Sequence, residues 1–114
     1  MRAVNSTRGT VVASSGRRAT GFWDRSRGLL GRKSFESGDG LLIDPCSGIH
    51  TFFMAFPIDA VFVDREGTVV HLVREISPQR VSRYVFKARA VLELPAGTIR
   101  STGTRVGDTI AFED

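Results

Sequence analysis

The chain has 114 residues, 41% of them hydrophobic and 25% charged, with a net charge of +4. That length and balance suit one domain around one core and exclude a wholly disordered chain. A single cysteine, Cys46, excludes an internal disulfide, and the first twenty residues hold no apolar run long enough for a secretory signal.

Residues 1–9 are polar and aperiodic and are expected to form a flexible N-terminal arm, with residues 10–114 as a single β-rich domain. Gly9–Ala13 reads as a short strand closed by the turn signal Ser14-Ser15-Gly16. A helix is expected next. Thr20 supplies an N-cap, Phe22, Trp23, Ser26, Leu29 and Leu30 fall on one face, and Gly31 offers a stop. From Gly38 the period changes to that of strands. Gly40–Asp44 is one, ended by Pro45, and Gly48–Met54 is another, with Ile49, Thr51 and Phe53 opposite His50, Phe52 and Met54.

After Pro57, Ile58–Asp64 forms a strand that is apolar on both faces except at Asp59. Asp64-Arg-Glu-Gly67 is a hairpin turn leading to a return strand, Thr68–Arg74. Residues 75–86 read as an irregular crossover. Lys87–Pro95 alternates, with Ala88, Ala90, Leu92 and Leu94 opposite Arg89, Val91 and Glu93. Pro95-Ala-Gly97 turns the chain, glycines at 103 and 107 punctuate it, and Thr109–Phe112 is a last strand. The expected fold is mainly β (α+β): a curled sheet or partly open barrel of six to seven short strands with one N-terminal helix.

The longest apolar stretch, Ile49–Val63, is interrupted by His50, Thr51, Pro57 and Asp59 and falls short of the roughly 20 residues that span a bilayer. A cytoplasmic protein without membrane contact is expected. Charge is uneven: residues 1–33 carry eight Arg or Lys and one acid, and the remainder eight basic and eleven acidic residues. A basic arm of this kind attracts phosphates or acidic partners. It has few interleaved aromatics, so a solvated arginine-rich segment is the preferred reading.

The segment His50-Thr-Phe-Phe-Met-Ala-Phe-Pro-Ile-Asp-Ala-Val-Phe-Val-Asp64 resembles a bacterial and archaeal family known as domain of unknown function 192. Arg25–Arg32, Val91-Leu-Glu-Leu-Pro-Ala-Gly97 and Gly107-Asp108 match the same pattern in order, so the resemblance covers about residues 10–113. It implies a small β-rich, barrel-like domain and brings no established activity. Shared positions include Arg25, Gly28, His50, Met54, Pro57, Asp59, Asp64, Gly67, Glu93, Gly97, Gly107 and Asp108.

Several residues bear chemistry. Cys46 and His50 could form a thiol–imidazole pair if Ser47-Gly48 turns, but a buried thiol and a hydrogen-bonded histidine are favoured. Asp59 lies where both faces are expected to be buried, so its carboxylate must be exposed at an edge or well bonded. Either it accepts backbone N–H groups around Pro57, the preferred reading, or it pairs with His50 to line a pocket. Cys46, His50, Asp59 and His71 lack the spacing of a zinc site, so no metal and no cofactor is expected. Glu93 and Asp108 are expected on solvated faces rather than as a catalytic carboxylate pair.

The favoured function is a non-enzymatic accessory domain binding a small molecule or protein partner at Cys46, His50, Thr51, Phe53 and Asp59. A hydrolase or transferase using Cys46 or His50 ranks second, and nucleic-acid binding through the arginine-rich N-terminal region ranks last.

Overall fold

Short β-branched and leucine-rich runs separated by glycine turns produce eight strands and one short helix among the described residues. The computed structural model describes residues 1–21, 34–51 and 54–114. The strands are β1 (Arg2–Asn5), β2 (Thr10–Ala13), β3 (Ser15–Ala19), β4 (Asp39–Ile43), β5 (Ile58–Val63), β6 (Val69–Ile76), β7 (Ala90–Pro95) and β8 (Ile110–Glu113). The helix, α1, is Thr98–Thr102. The helix expected after Thr20 and the side chains of Phe52 and Phe53 lie outside the described residues.

The strands form two sheets. One is three-stranded in the order β2-β1-β8, and the other is five-stranded in the order β3-β4-β7-β5-β6. Among the described strands only β3 and β4 pair in parallel. The mainly β class is as expected; in place of one curled sheet or partly open barrel, the described strands form two sheets and close no barrel. Between the sheets run the paired Met1–Gly16 backbone bonds and the isolated Thr68–Thr109 bridge.

β5 and β7 lie inside the larger sheet, and their alternating side chains feed two apolar clusters. Val61, Val63, Leu92 and Leu94 join Ala3, Val12 and Ile110 on one side. Ile58, Ala60, Phe62 and Val91 join Leu41 and Ile43 on the other. All six residues of β5 are therefore buried, including Asp59.

The Asp64–Gly67 turn forms as its residues dictate. Asp64 Oδ1 accepts the N–H groups of Glu66 and Thr68, both at 2.9 Å, and Gly67 takes φ 83°. A Cβ on Gly67 would also lie 2.5 Å from the Ile110 carbonyl oxygen, so the turn's contact with β8 requires glycine.

Other expectations are corrected. Residues 1–9 are not a detached arm, because β1 is the middle strand of the smaller sheet, with Ala3 and Asn5 buried. Ser15-Gly16 does not end a strand but begins β3, an edge strand whose exposed Arg17 and Arg18 need no apolar pattern. The described part of Gly48–Met54 forms no strand, and His50 contributes one isolated bridge, to Val81. The helix α1 was not anticipated, its five residues being too few to show a period.

Candidate functional site

Residues 46–51 include Ser47 and Thr51, whose hydroxyls compete with a regular ladder for backbone partners, and the pliable Gly48. They are stitched to the crossover, residues 77–89. Cys46 N–H donates to Arg89 O at 2.8 Å, Val85 N–H to Ser47 O at 2.8 Å, and Ser82 N–H to Ile49 O at 2.8 Å. Ser82 Oγ accepts the Ile49 N–H at 2.9 Å. Thr51 is fully buried; its hydroxyl donates to Ser77 O at 2.6 Å and accepts the Arg80 N–H at 2.9 Å. Two irregular segments thus become one bonded unit.

Among the described residues, the candidate side chains have different settings and partners. The Cys46 thiol donates to Gly48 O at 3.1 Å. His50 is exposed, Thr51 serves the crossover, and Phe53 lies outside the described residues. Asp59 is 1% exposed; its Oδ1 accepts the Glu75 N–H and its Oδ2 the Ile99 N–H, both at 2.8 Å. The carboxylate therefore caps α1 and holds β6 where Glu75 has a positive φ. It is not paired with the exposed imidazole of His50.

Glu93 and Asp108, expected on solvated faces, are both 3% exposed. Glu93 sits on β7 in register with Leu41 and Ala60, on the face of the second apolar cluster. Burial pushes its carboxyl up to about 8. Burial would raise Asp108 too, but the Asn5 amide, the Arg8 guanidinium and the Arg105 N–H outweigh it and hold the carboxyl at about 2. Asn5 Nδ2 donates to it at 2.9 Å, Arg8 Nε at 3.1 Å and Arg105 N–H at 2.9 Å. Among the described residues, no three side chains of metal-binding type converge.

The exposed chemistry lies elsewhere. On the crossover Val81 is 65% exposed, Tyr84 70% and Phe86 84%, whereas Val85 between them is buried. Val70, Arg83, Val85, Phe86 and Lys87 line a shallow cleft of about 300 Å³ against β6. Partial burial and the nearby Arg83 charge lower the pKa of His71, on the same strand. Arg83, Phe86 and Lys87 were missed in the sequence reading. The signal was present, since residues 77–89 contain four basic residues and no acid, but only the fold shows which of their side chains face solvent.

The two-sheet architecture and the residue pattern that carries it have known counterparts. The family model DUF192, described as "Uncharacterized ACR", matches residues 3–112. The chain belongs to this family. The DUF192 chain is 32% identical over 116 residues to a UPF0127 protein of Thermococcus sibiricus, covering 96% of this chain and 73% of that one. It is also 41% identical over 66 residues to a UPF0127 protein of Pyrococcus abyssi, covering 56% of this chain and 54% of that one.

Two solved structures share the fold. One, a protein of unknown function from Novosphingobium aromaticivorans, superposes with a TM-score of 0.86 at 20% identity, covering 98% of this chain and 84% of its own. The other, from Sinorhizobium meliloti and described as a candidate transcription regulator, gives 0.81 at 24% identity, covering 96% and 89%. At these identities the likeness concerns the fold alone. No helix among the described residues of the DUF192 chain is long and apolar enough to cross a membrane.

Proposed function

We propose that this DUF192 domain is a non-enzymatic binding domain whose ligand is a small amphipathic anion held in the cleft between β6 and the crossover. The observation that carries this reading is the cleft lining: hydrocarbon from Val70, Val85 and Phe86 beside the cations of Arg83 and Lys87. Neither cation makes an ion pair among the described residues, whereas Arg8 and Arg89 are held by Asp108 and Asp44. A guanidinium fork suits a carboxylate, sulfonate or phosphate, and the apolar wall suits a flat hydrocarbon body. The lining sets hydrocarbon beside two cations and offers no anionic side chain, a combination that suits holding an anion. The site expected around Asp59 moves to the crossover, because Asp59's oxygens are already taken by backbone N–H groups.

A shallow, open cleft predicts weak affinity, with a Kd between about 10 µM and about 1 mM. The probe 8-anilino-1-naphthalenesulfonate has the required sulfonate and aromatic body. Its fluorescence should saturate with the folded protein, and Arg83→Glu or Phe86→Ala should each weaken binding by about tenfold, roughly the loss of one charge-assisted bond or buried ring. Wild-type near-ultraviolet circular dichroism should persist in both variants. Unchanged titration curves for the two variants would refute the cleft.

A further inference from the structure

Residues 80–87 interleave cations with side chains of another kind: Arg80, Arg83, Tyr84, Phe86 and Lys87. Tyr84 and Phe86 are both exposed on either side of buried Val85, at the entry to the turn that the Ala88 N–H closes on the Val85 carbonyl at 3.0 Å. Buried Val85 and the Ser47, Ile49 and Ser82 bonds fix this segment from behind, so little ordering remains to be done on binding. Arg80, Arg83 and Lys87 are exposed and make no ion pair among the described residues.

From this arrangement we infer that the crossover binds single-stranded nucleic acid, with bases stacked on Tyr84 and Phe86 and phosphates on Arg80, Arg83 and Lys87. This rests on the binding reading of the cleft and extends that site outward along the crossover. Two solvent-facing rings flanked by free cations match a polymer that offers a flat π face and an anion in every unit. A carboxylate-rich peptide would satisfy the cations but leave the rings without flat partners. In a duplex the base faces are already stacked, so the surface selects single strands. Interleaved aromatics, few in the basic N-terminal region, occur in the crossover.

The test is fluorescence anisotropy with fluorescein-labelled oligothymidylate of about twelve nucleotides. Three phosphate contacts on a single strand give a slope of log K against log salt of about −2, or about 20-fold weakening between about 50 and about 200 mM NaCl. Arg83→Ala should flatten that slope by roughly one third, and Tyr84→Ala or Phe86→Ala should weaken binding by about fivefold or more with the slope kept. The same oligonucleotide annealed to its complement should bind more weakly.

Absence of binding below about 100 µM protein at low salt would overturn the inference. So would salt-independent binding, equal binding of the duplex, or displacement by poly-L-glutamate as effective per charge as the oligonucleotide. If the anilinonaphthalene probe binds and the oligonucleotide does not, the inference falls and the cleft reading stands. If neither binds, both fall.

Discussion

At the scale of single residues, two buried carboxyl groups behave in opposite ways because their surroundings differ. Asp108 accepts three N–H donors and is held ionised at about 2, while Glu93 faces hydrocarbon and rises to about 8. The folded state therefore keeps the Glu93 proton over a range where the unfolded chain, near 4.5, has released it. Stability on this account is full below about 4.5 and falls as pH rises toward about 8, by several kcal/mol in order of magnitude. Glu93→Gln, neutral and of the same shape, should remove that loss, leaving the variant more stable than the parent at about pH 8.5 and similar at about pH 4. Denaturant midpoints across this range check it, and parallel profiles for the two proteins would contradict it. Neither burial was legible from the chain: an acid facing outward by alternation is charged on a one-faced sheet and buried on one covered on both sides.

Among elements, the hairpin was readable and the His50 segment was not. Asp64, Glu66 and Gly67 carry the geometry of a turn in four consecutive residues, so local chemistry decides it. At residues 48–51 the apolar alternation indicates a strand, but the Ser82 hydroxyl accepts the Ile49 N–H and the Thr51 hydroxyl bonds the Ser77 carbonyl and the Arg80 N–H, partners about thirty residues away. Asp59 shows how one side chain joins elements: its carboxylate binds β6 and the start of α1 from within β5. Asp59→Ala should leave two N–H groups without that partner and cost about 2–4 kcal/mol of unfolding free energy. Asp59→Asn, which retains one acceptor oxygen, should cost less. Chemical denaturation would show both, and a loss below about 0.5 kcal/mol for the alanine variant would remove this role.

For the molecule as a whole, the chain ends are part of the structure. β1 lies between β2 and β8, and Asn5 donates to Thr104 at 3.2 Å and Asp108 at 2.9 Å across about a hundred residues of chain. Removing residues 1–5 should take away the middle strand of the smaller sheet together with a buried partner of Asp108. The truncated chain should lose its sharp thermal transition and its dispersed amide spectrum. A truncated protein that melts like the parent would show that the smaller sheet contributes nothing to global stability.

The amino-acid sequence by itself determined the β class, the Asp64–Gly67 turn, the apolar strands β4, β5 and β7 and the family, because periodicity, glycine and turn chemistry act over a few neighbouring residues. The tertiary structure alone decided that Glu93 and Asp108 are buried, that residues 2–5 lie mid-sheet, that Asp59 is taken up in capping and that the basic–aromatic crossover faces solvent. Those outcomes depend on which surfaces meet after distant segments pair, and strand order and two-sided covering leave no local mark on the residues they bury.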